Sequence, residues 1–208
     1  MDYEQFKEEW KAACKERHAC AKGYQQLLAS QSVADVLATA VANWTDVYKS
    51  KFADFMAENI VRQFEGLRDE FHEAGFYVNE PSDKGLCIVC RPDGPLEFGG
   101  RAKVYVFAQA EVTARDLAQV YCRNKDSVVR LYGNAYGKIE AGRVWAYDFA
   151  TVDSHEECWC HDRTTVTISG GVVHDNGHRR LEILNEKEMV VIQSQQTGQE
   201  QPERKNNY

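Results

Sequence analysis

The sequence predicts an α+β protein in which an N-terminal helical region is followed by a small parallel β-solenoid of eight-residue repeats. Two periodicities carry this prediction. In region 1–80, apolar residues recur every three to four positions, which is typical of helices with one buried face. In region 102–173, valine recurs at intervals that are multiples of eight, at positions 104, 112, 120, 128, 144 and 152.

Composition limits the class of protein. A hydrophobic fraction of 43% and a charged fraction of 27% are those of a folded chain. The formal net charge of −7 argues against direct, broad nucleic-acid binding, which needs a field of lysine and arginine. No apolar run reaches the roughly 20 residues of a membrane helix, and the polar start Met1–Glu4 is unlike a secretory signal. We therefore expect a cytoplasmic protein with reduced cysteines and no membrane association.

The helical region divides into three predicted helices. Phe6 and Trp10 belong to the first, which we expect to break at Gly23. Ser32 is a plausible N-cap for the second, and Gly75 should end the third. Through residue 80 the chain carries 9 Lys and Arg against 14 Asp and Glu. A solvated surface is the simpler interpretation, and an acidic face that engages a basic partner is the alternative.

Three further segments flank the repeats. Residues 81–101 contain short strand candidates and turns, and are interpreted as a transition between helices and solenoid. Residues 174–193 read as closing strands, because an open solenoid end exposes unpaired backbone. Residues 194–208 are rich in Gln, Glu, Lys and Asn, and predict a disordered tail.

The repeat has the consensus Ala-x-Val-x-Ala-x-Asp-x. Alternation places its small and branched residues on one strand face, and its Asp or Asn can close a turn through its own side chain. One unit cannot bury its apolar face, but a stack can. We expect two octads per coil, sixteen residues, and four to five coils. An antiparallel meander is the rival arrangement, although hairpin loops rarely hold so strict a period.

The centre of the array departs from the consensus. The valine slot is taken there by Tyr136, and later by Cys160 and Ile168. Four polar residues fall on slots that should be small or apolar, namely Asp126, Arg130, Asn134 and Lys138. We expect a distortion in this part, or side chains turned outward through a bulge.

Two octads carry a resemblance at the level of architecture, Ala110–Asp116 and Gly142–Asp148. They resemble the Ala/Val-rich octad arrays of uncharacterised proteins from gut bacteria and their mobile elements. They are also similar in logic to bactofilin-type and pentapeptide-repeat solenoids, although the pentapeptide pattern itself is absent. The resemblance covers about a third of the chain. It implies a solenoid with a scaffold role, and transfers no catalytic residue.

A cluster of histidines and cysteines raises the question of zinc. It contains His155, Cys158, Cys160 and His161, and His174 and His178 follow. The octad register places both cysteines inward and both nearby histidines outward, so they cannot surround one ion on a regular strand. We therefore interpret the cysteines as core residues and predict neither metal nor cofactor. A metal site would require the strand to break near Glu157.

The outward positions of the repeats suggest a binding surface. A sixteen-residue coil gathers aromatic and basic side chains on one face, namely Arg115, Arg143, Trp145, Tyr147, Trp159, His161 and Arg163. Such residues are common at binding hot spots. The favoured interpretation is that the Phe-rich N-terminal helices pack over this face. The alternative is an exposed recognition surface.

No catalytic motif stands out, so the expected function is that of a non-enzymatic interaction module with a macromolecular, most simply protein, partner. A narrower version is an inhibitor from a phage or mobile element, similar to anti-CRISPR proteins, that blocks a host nucleic-acid-handling enzyme. A third hypothesis is a carbohydrate-binding protein or enzyme that uses Trp145, Tyr147 and Trp159, since aromatic rings can stack on sugars or bases.

Overall fold

The computed structural model describes residues 1–50, 52–168, 171–176, 180–183 and 189–193. Its helices come first, as predicted. They are α1 (Tyr3–Glu16), α2 (Ala21–Ala29), α3 (Val33–Ala42), α4 (Trp44–Lys49), α5 (Ala53–Phe55), a π-helical segment (Met56–Ile60), α6 (Val61–Gly66) and α7 (Arg68–Glu73).

Local chemistry explains where these helices begin and end. The side chain of Ser32 accepts a hydrogen bond from Asp35 N at 3.1 Å, which confirms the predicted N-cap of α3. Gly75, with φ 72°, follows α7 as predicted. The predicted break at Gly23 is wrong, because this glycine lies inside α2, and the chain turns before it, at His18, whose φ is 54°.

Parallel strands form the second part of the molecule. They are β1 (Phe76–Val78), β2 (Leu86–Val89), β3 (Leu96–Phe98), β4 (Lys103–Val106), β5 (Glu111–Ala114), β6 (Gln119–Cys122), β7 (Val128–Leu131), β8 (Tyr136–Ile139), β9 (Arg143–Ala146), β10 (Thr151–Ser154), β11 (Cys158–Cys160), β12 (Thr165–Ile168), β13 (Gly171–Asp175), β14 (Arg180–Ile183) and β15 (Met189–Gln193).

Strands alternate between two sheets, as a flattened solenoid with two strands per coil requires. The eight-stranded sheet has the order β1-β2-β4-β6-β8-β10-β12-β14, and the seven-stranded sheet has the order β15-β13-β11-β9-β7-β5-β3. The solenoid makes about six turns, which exceeds the four to five coils expected. The α+β class and the parallel arrangement are confirmed, and the meander is excluded.

The stack extends beyond the segment in which the repeat is visible in the sequence. Strands β2 and β3, in the transitional segment 81–101, pair in parallel with β4 and β5. At the other end, β14 and β15 continue the two sheets within segment 174–193. The predicted disordered tail, 194–208, lies outside the described residues.

The core between the sheets follows the octad prediction with two departures, one before β7 and one after β10, where Cys158 rather than Cys160 lies beside Val144 and Val166 rather than Ile168 lies beside Val152. The valines at 104, 112, 120, 144 and 152 are fully buried. Val128 points outward, and Val129 takes its place in the core, beside Val112 in one coil and Val144 in the next. Val129 follows Val112 by seventeen residues and precedes Val144 by fifteen, against the sixteen expected for one coil. The turn before β7 therefore has one extra residue, and the turn before β9 has one fewer.

The extra residue before β7 also changes which residues face the core in the eight-stranded sheet. Gly137, rather than Tyr136, lies between Val120 and Val152. Tyr136 faces outward, and its ring packs against Tyr121 at 6.3 Å. The polar residues of this region point away from the core, as expected from a local irregularity, but the cause is the length of the turns rather than a bulge within a strand.

Aspartates join successive coils at one row of turns. Asp116, Asp148 and Asp162 adopt left-handed backbone, with φ between 55° and 60°, and Gly133 takes the same position with φ 66°. Each carboxylate accepts a hydrogen bond from the preceding coil; Asp148 Oδ2, for example, lies 2.9 Å from Gly133 N. The sequence also predicted that an Asp or Asn side chain closes the turn in which it lies. Asn124 does so, because its Oδ1 accepts a hydrogen bond from Asp126 N at 3.0 Å.

The helices pack on the outer face of the eight-stranded sheet. The Tyr48 ring lies 4.9 Å from that of Tyr105 and 6.1 Å from that of Tyr121. Trp44 contacts Tyr105 and Phe107. The favoured interpretation, in which the helices cover Trp145 and its neighbours, is therefore wrong.

Within the part of the chain that the structure describes, no helix is long and apolar enough to span a membrane.

Candidate interaction surface on the seven-stranded sheet

A ladder of rings crosses the outer face of the seven-stranded sheet, and we call it the tryptophan ladder. Parallel register places Trp145 directly beside Trp159, and Trp159 beside His174. The indole rings lie 4.3 Å apart with an interplanar angle of 4°, and His174 stacks on Trp159 at 4.6 Å. Arg130 precedes them, with its guanidinium carbon 5.8 Å from the centre of the Trp145 ring.

A second ladder, the tyrosine ladder, runs beside the first at the ends of the same strands. Tyr132 and Tyr147 stack at 4.7 Å, and His161 stacks on Tyr147 at 4.6 Å. Arg115 places its guanidinium 4.8 Å from the centre of the Tyr132 ring. Each ladder therefore begins with an arginine and ends with a histidine. Together the two ladders define the aromatic face.

Stacking determines what the aromatic face offers to a partner. Trp145 lies between Arg130 and Trp159, and Tyr147 lies between Tyr132 and His161, so the flat faces of these rings are occupied inside the protein. The rings are only half-buried, and they turn their edges toward solvent. Ring edges carry partial positive charge and favour acceptors or the faces of other rings.

Hydrogen-bonding capacity on this face is biased toward donors. The described hydrogen bonds leave the indole N–H groups of Trp145 and Trp159 and the hydroxyls of Tyr132 and Tyr147 unused. Burial raises the pKa of Tyr147 above its ordinary value.

The carboxylates nearest the ladders are engaged, whereas Glu97, which is exposed two coils before Arg130 in the same row, has no partner among the described residues. Glu111 pairs with Arg130 and Glu157 with His174, both at 3.2 Å. The turn aspartates accept backbone N–H groups. No ion pair described for this chain uses Arg143, which is exposed on β9.

An apolar edge borders the tyrosine ladder. The residue after each left-handed turn position projects outward, and two of these residues are large and apolar: Leu117 is 51% exposed and Phe149 is 55% exposed. Arg163 occupies the equivalent position one coil later, and its guanidinium lies 5.8 Å from the centre of the Phe149 ring. Exposed leucine and phenylalanine beside a ring ladder extend the surface that a partner can desolvate.

The structure brings together most of the residues expected from the sequence and changes their pairing. Trp145, Tyr147, Trp159 and His161 share the aromatic face, but coils of fourteen residues in this part pair Trp145 with Trp159 and Tyr147 with His161. Arg115 and Arg143 lie on the same side of the solenoid. Arg163 belongs to the turn edge.

Three members of the ladders were missed by the sequence analysis: Arg130, Tyr132 and His174. A strict sixteen-residue coil turns the first two away from this face and leaves the third beyond the array. The signal that could have found Tyr132 is the repeated tripeptide pattern at the turns. In Arg115-Asp116-Leu117, Tyr132-Gly133-Asn134 and Tyr147-Asp148-Phe149, a residue that tolerates left-handed backbone follows the ladder residue.

The histidine and cysteine cluster is split between core and surface. Cys158 and Cys160 are fully buried, with their sulfur atoms 3.4 Å apart. His155 is exposed and His161 belongs to the tyrosine ladder. Within the described residues, no three histidine, cysteine or acidic side chains gather in a way that could hold a metal ion. His178 lies outside these residues.

Neither sequence nor fold connects the chain to a known group. No protein-family model matches it, and no curated protein or solved structure gives a significant match. The geometry of the aromatic face is therefore the basis for a functional proposal.

Proposed function

We propose that this chain is a protein-interaction module that binds an acidic, acceptor-rich protein surface through the aromatic face and its apolar edge. The observation that carries the proposal is the bias of hydrogen-bonding capacity. Indole N–H groups, tyrosine hydroxyls and the exposed Arg143 offer donors, while Glu111 and Glu157, the carboxylates beside the tryptophan ladder, are paired within the protein. Aromatic residues and arginine are the side chains most enriched at binding hot spots.

The shape of the face also favours a protein. Two parallel ladders on a regular sheet make a nearly flat surface, and flat surfaces of this kind suit protein partners better than small ligands, which need concave sites. The ladders are held in place by backbone pairing and stacking, so little side-chain entropy is lost on binding.

Carbohydrate binding gains less support. Sugars and unpaired bases stack on the flat faces of aromatic rings. In both ladders these faces are occupied by neighbouring rings or guanidinium groups. The narrower hypothesis of a mobile-element inhibitor, and the relationship to octad proteins of gut bacteria, stay predictions, because no feature of the aromatic face favours one biological setting.

Site-specific photo-cross-linking from the native host tests the proposal. A benzoylphenylalanine at Val128, which points outward beside Arg143, should cross-link an acidic partner. The same residue at Lys138, outward on the opposite sheet, is the matched control. Trp145→Ala/Trp159→Ala should abolish the cross-link while the circular dichroism spectrum is retained. Equal cross-linking from both positions, or a cross-link that survives the double substitution, would contradict the proposal.

A further inference from the structure

A cavity in the helical region is lined by none of the residues of the aromatic face. It has a volume of ≈ 280 Å³ and is bounded by α1, α2, α3 and α4 and by Ser50 and Phe52. Its wall is largely apolar, built from Trp10, Leu27, Val36, Ala40, Val47 and Phe52. Exposed residues His18, Cys20 and Asp46 also line it, so this side opens to solvent.

Small residues keep the cavity open. Gly23 lies inside α2, where glycine is less favourable than alanine. A Cβ at this position would stand 3.2 Å from Cys20 Sγ, and Ala40 completes the wall from α3. An apolar cavity of about 150 Å³ can hold benzene. The larger volume here suits a molecule with two or three rings.

The polar groups of the lining define the charge of the ligand. Among the lining residues that the structure describes, none is lysine or arginine, and Asp46 contributes a carboxylate. Between the apolar side chains, away from this opening, a carboxylate or phosphate would therefore be desolvated with no described lysine or arginine beside it, which carries a large free-energy cost. Neutral ligands avoid this cost.

One acceptor is available inside. Asn43 Nδ2 donates to Gln26 Oε1 at 2.9 Å and to the backbone oxygen of Thr39 at 2.8 Å. Because a backbone oxygen can only accept, these bonds fix the orientation of the amide. Asn43 Oδ1, with no donor among the described hydrogen bonds, is left beside Gly23, 3.9 Å from where a Cβ would stand.

We infer that this cavity binds a small, neutral, largely aromatic molecule with one hydrogen-bond donor, and that Asn43 Oδ1 receives this donor. The inference is independent of the proposed protein partner, because none of the lining residues belongs to the aromatic face. It adds a ligand site to the helical region and leaves the solenoid available for interaction.

Two fluorescent probes that differ by one charge test the inference on the full-length protein. N-phenyl-1-naphthylamine is neutral and carries one N–H, and 8-anilinonaphthalene-1-sulfonate adds a sulfonate to the same rings. We expect saturable, one-to-one binding of the neutral probe, and an affinity at least about tenfold lower for the sulfonate. Titration calorimetry provides a second readout.

Cavity-filling variants locate the site. Ala40→Leu should weaken binding of the neutral probe by about tenfold or more, while the melting temperature stays equal or rises because the cavity is filled. Ala12→Leu, exposed on α1 and outside the lining, is the matched control and should bind normally. If Ala40→Leu fails to fold, Val47→Phe takes its place. No saturable binding by the wild-type protein, equal affinity for both probes, or unchanged affinity in folded cavity-filling variants would overturn the inference.

Discussion

Val112 of β5 lies beside Val129 of β7, although Val128 is the residue at the eight-residue spacing. The two neighbouring valines therefore have opposite environments: Val129 is fully buried and Val128 points outward. We expect Val129→Ala to cost about 2 kcal/mol of unfolding free energy, and Val128→Ala less than about 0.5 kcal/mol. Urea denaturation of both variants measures the difference, and a larger loss for Val128→Ala would contradict the register.

A double-mutant cycle measures the stacking free energy between the two indole rings of the tryptophan ladder. Trp145 and Trp159 stack with nearly parallel rings, and such pairs contribute about 0.5–1.5 kcal/mol beyond the area they bury. The coupling energy from Trp145→Ala, Trp159→Ala and the double variant should lie in this range. A coupling near zero would show that the rings do not stack in solution.

The aspartate turns give a graded prediction. Asp148 combines left-handed backbone with a hydrogen bond from Gly133 N. Asp148→Ala loses the bond and keeps a conformation that costs an ordinary residue about 1–2 kcal/mol, whereas Asp148→Gly loses the bond and gains freedom in the unfolded chain but adopts this conformation without steric cost. Unfolding free energies should therefore fall in the order wild type, glycine variant, alanine variant. An alanine variant as stable as the glycine variant would argue against the left-handed conformation.

Sequence periodicity was sufficient for the class of fold and for the composition of the core. Val104, Val112 and Val120 are stacked as the octads require, because a fully buried strand accepts only small or branched residues at each inward slot. The predicted register was wrong between Cys122 and Val144, and again after Ser154, where a shorter turn places Cys158 beside Val144. Turn length, rather than strand composition, sets the register, and an extra residue in one turn is offset in a later one without changing the octad count.

Turn length also explains why the sequence predicted the candidate surface only in part. Trp145 and Trp159 were assigned to one face, since both are at odd positions of regular strands, but their direct contact depends on a coil of fourteen residues. The position of the helices could not be read from the chain at all. Tyr105 and Tyr121 resemble other outward aromatic residues in sequence, and only tertiary packing distinguishes the covered rings from the exposed ones.

The interface between helices and solenoid contains an unusual hydroxyl. Tyr48 is buried among rings, its hydroxyl has no hydrogen-bond partner among the described residues, and burial raises its pKa. An unsatisfied buried polar group costs about 1–3 kcal/mol, so Tyr48→Phe should leave stability unchanged or raise it. Tyr48→Ala should lose about 3–5 kcal/mol, because it removes the ring. Thermal unfolding distinguishes them, and a marked loss in Tyr48→Phe would reveal a partner for the hydroxyl, such as a bound water.

Buried thiols should make the protein sensitive to high pH. Burial raises the pKa of Cys87 and of Cys90 from 9.0 to about 12. Above pH 9 the unfolded chain loses these protons first, so the unfolded state is favoured as pH rises. The contribution of the thiols to stability is therefore complete below pH 9 and is lost between pH 9 and about 12. Urea midpoints at pH 8, 9, 10 and 11 measure this loss.

The variant Cys87→Ala/Cys90→Ala separates the thiols from other groups that titrate at high pH. It will be less stable at pH 8, because it leaves small cavities, so the comparison is the slope of stability against pH. That slope should be shallower in the variant than in the wild-type protein. As a control, Cys20→Ala removes an exposed thiol at the start of α2 and should keep the wild-type slope. Equal slopes in all three proteins would mean that Cys87 and Cys90 are accessible to solvent in the folded state.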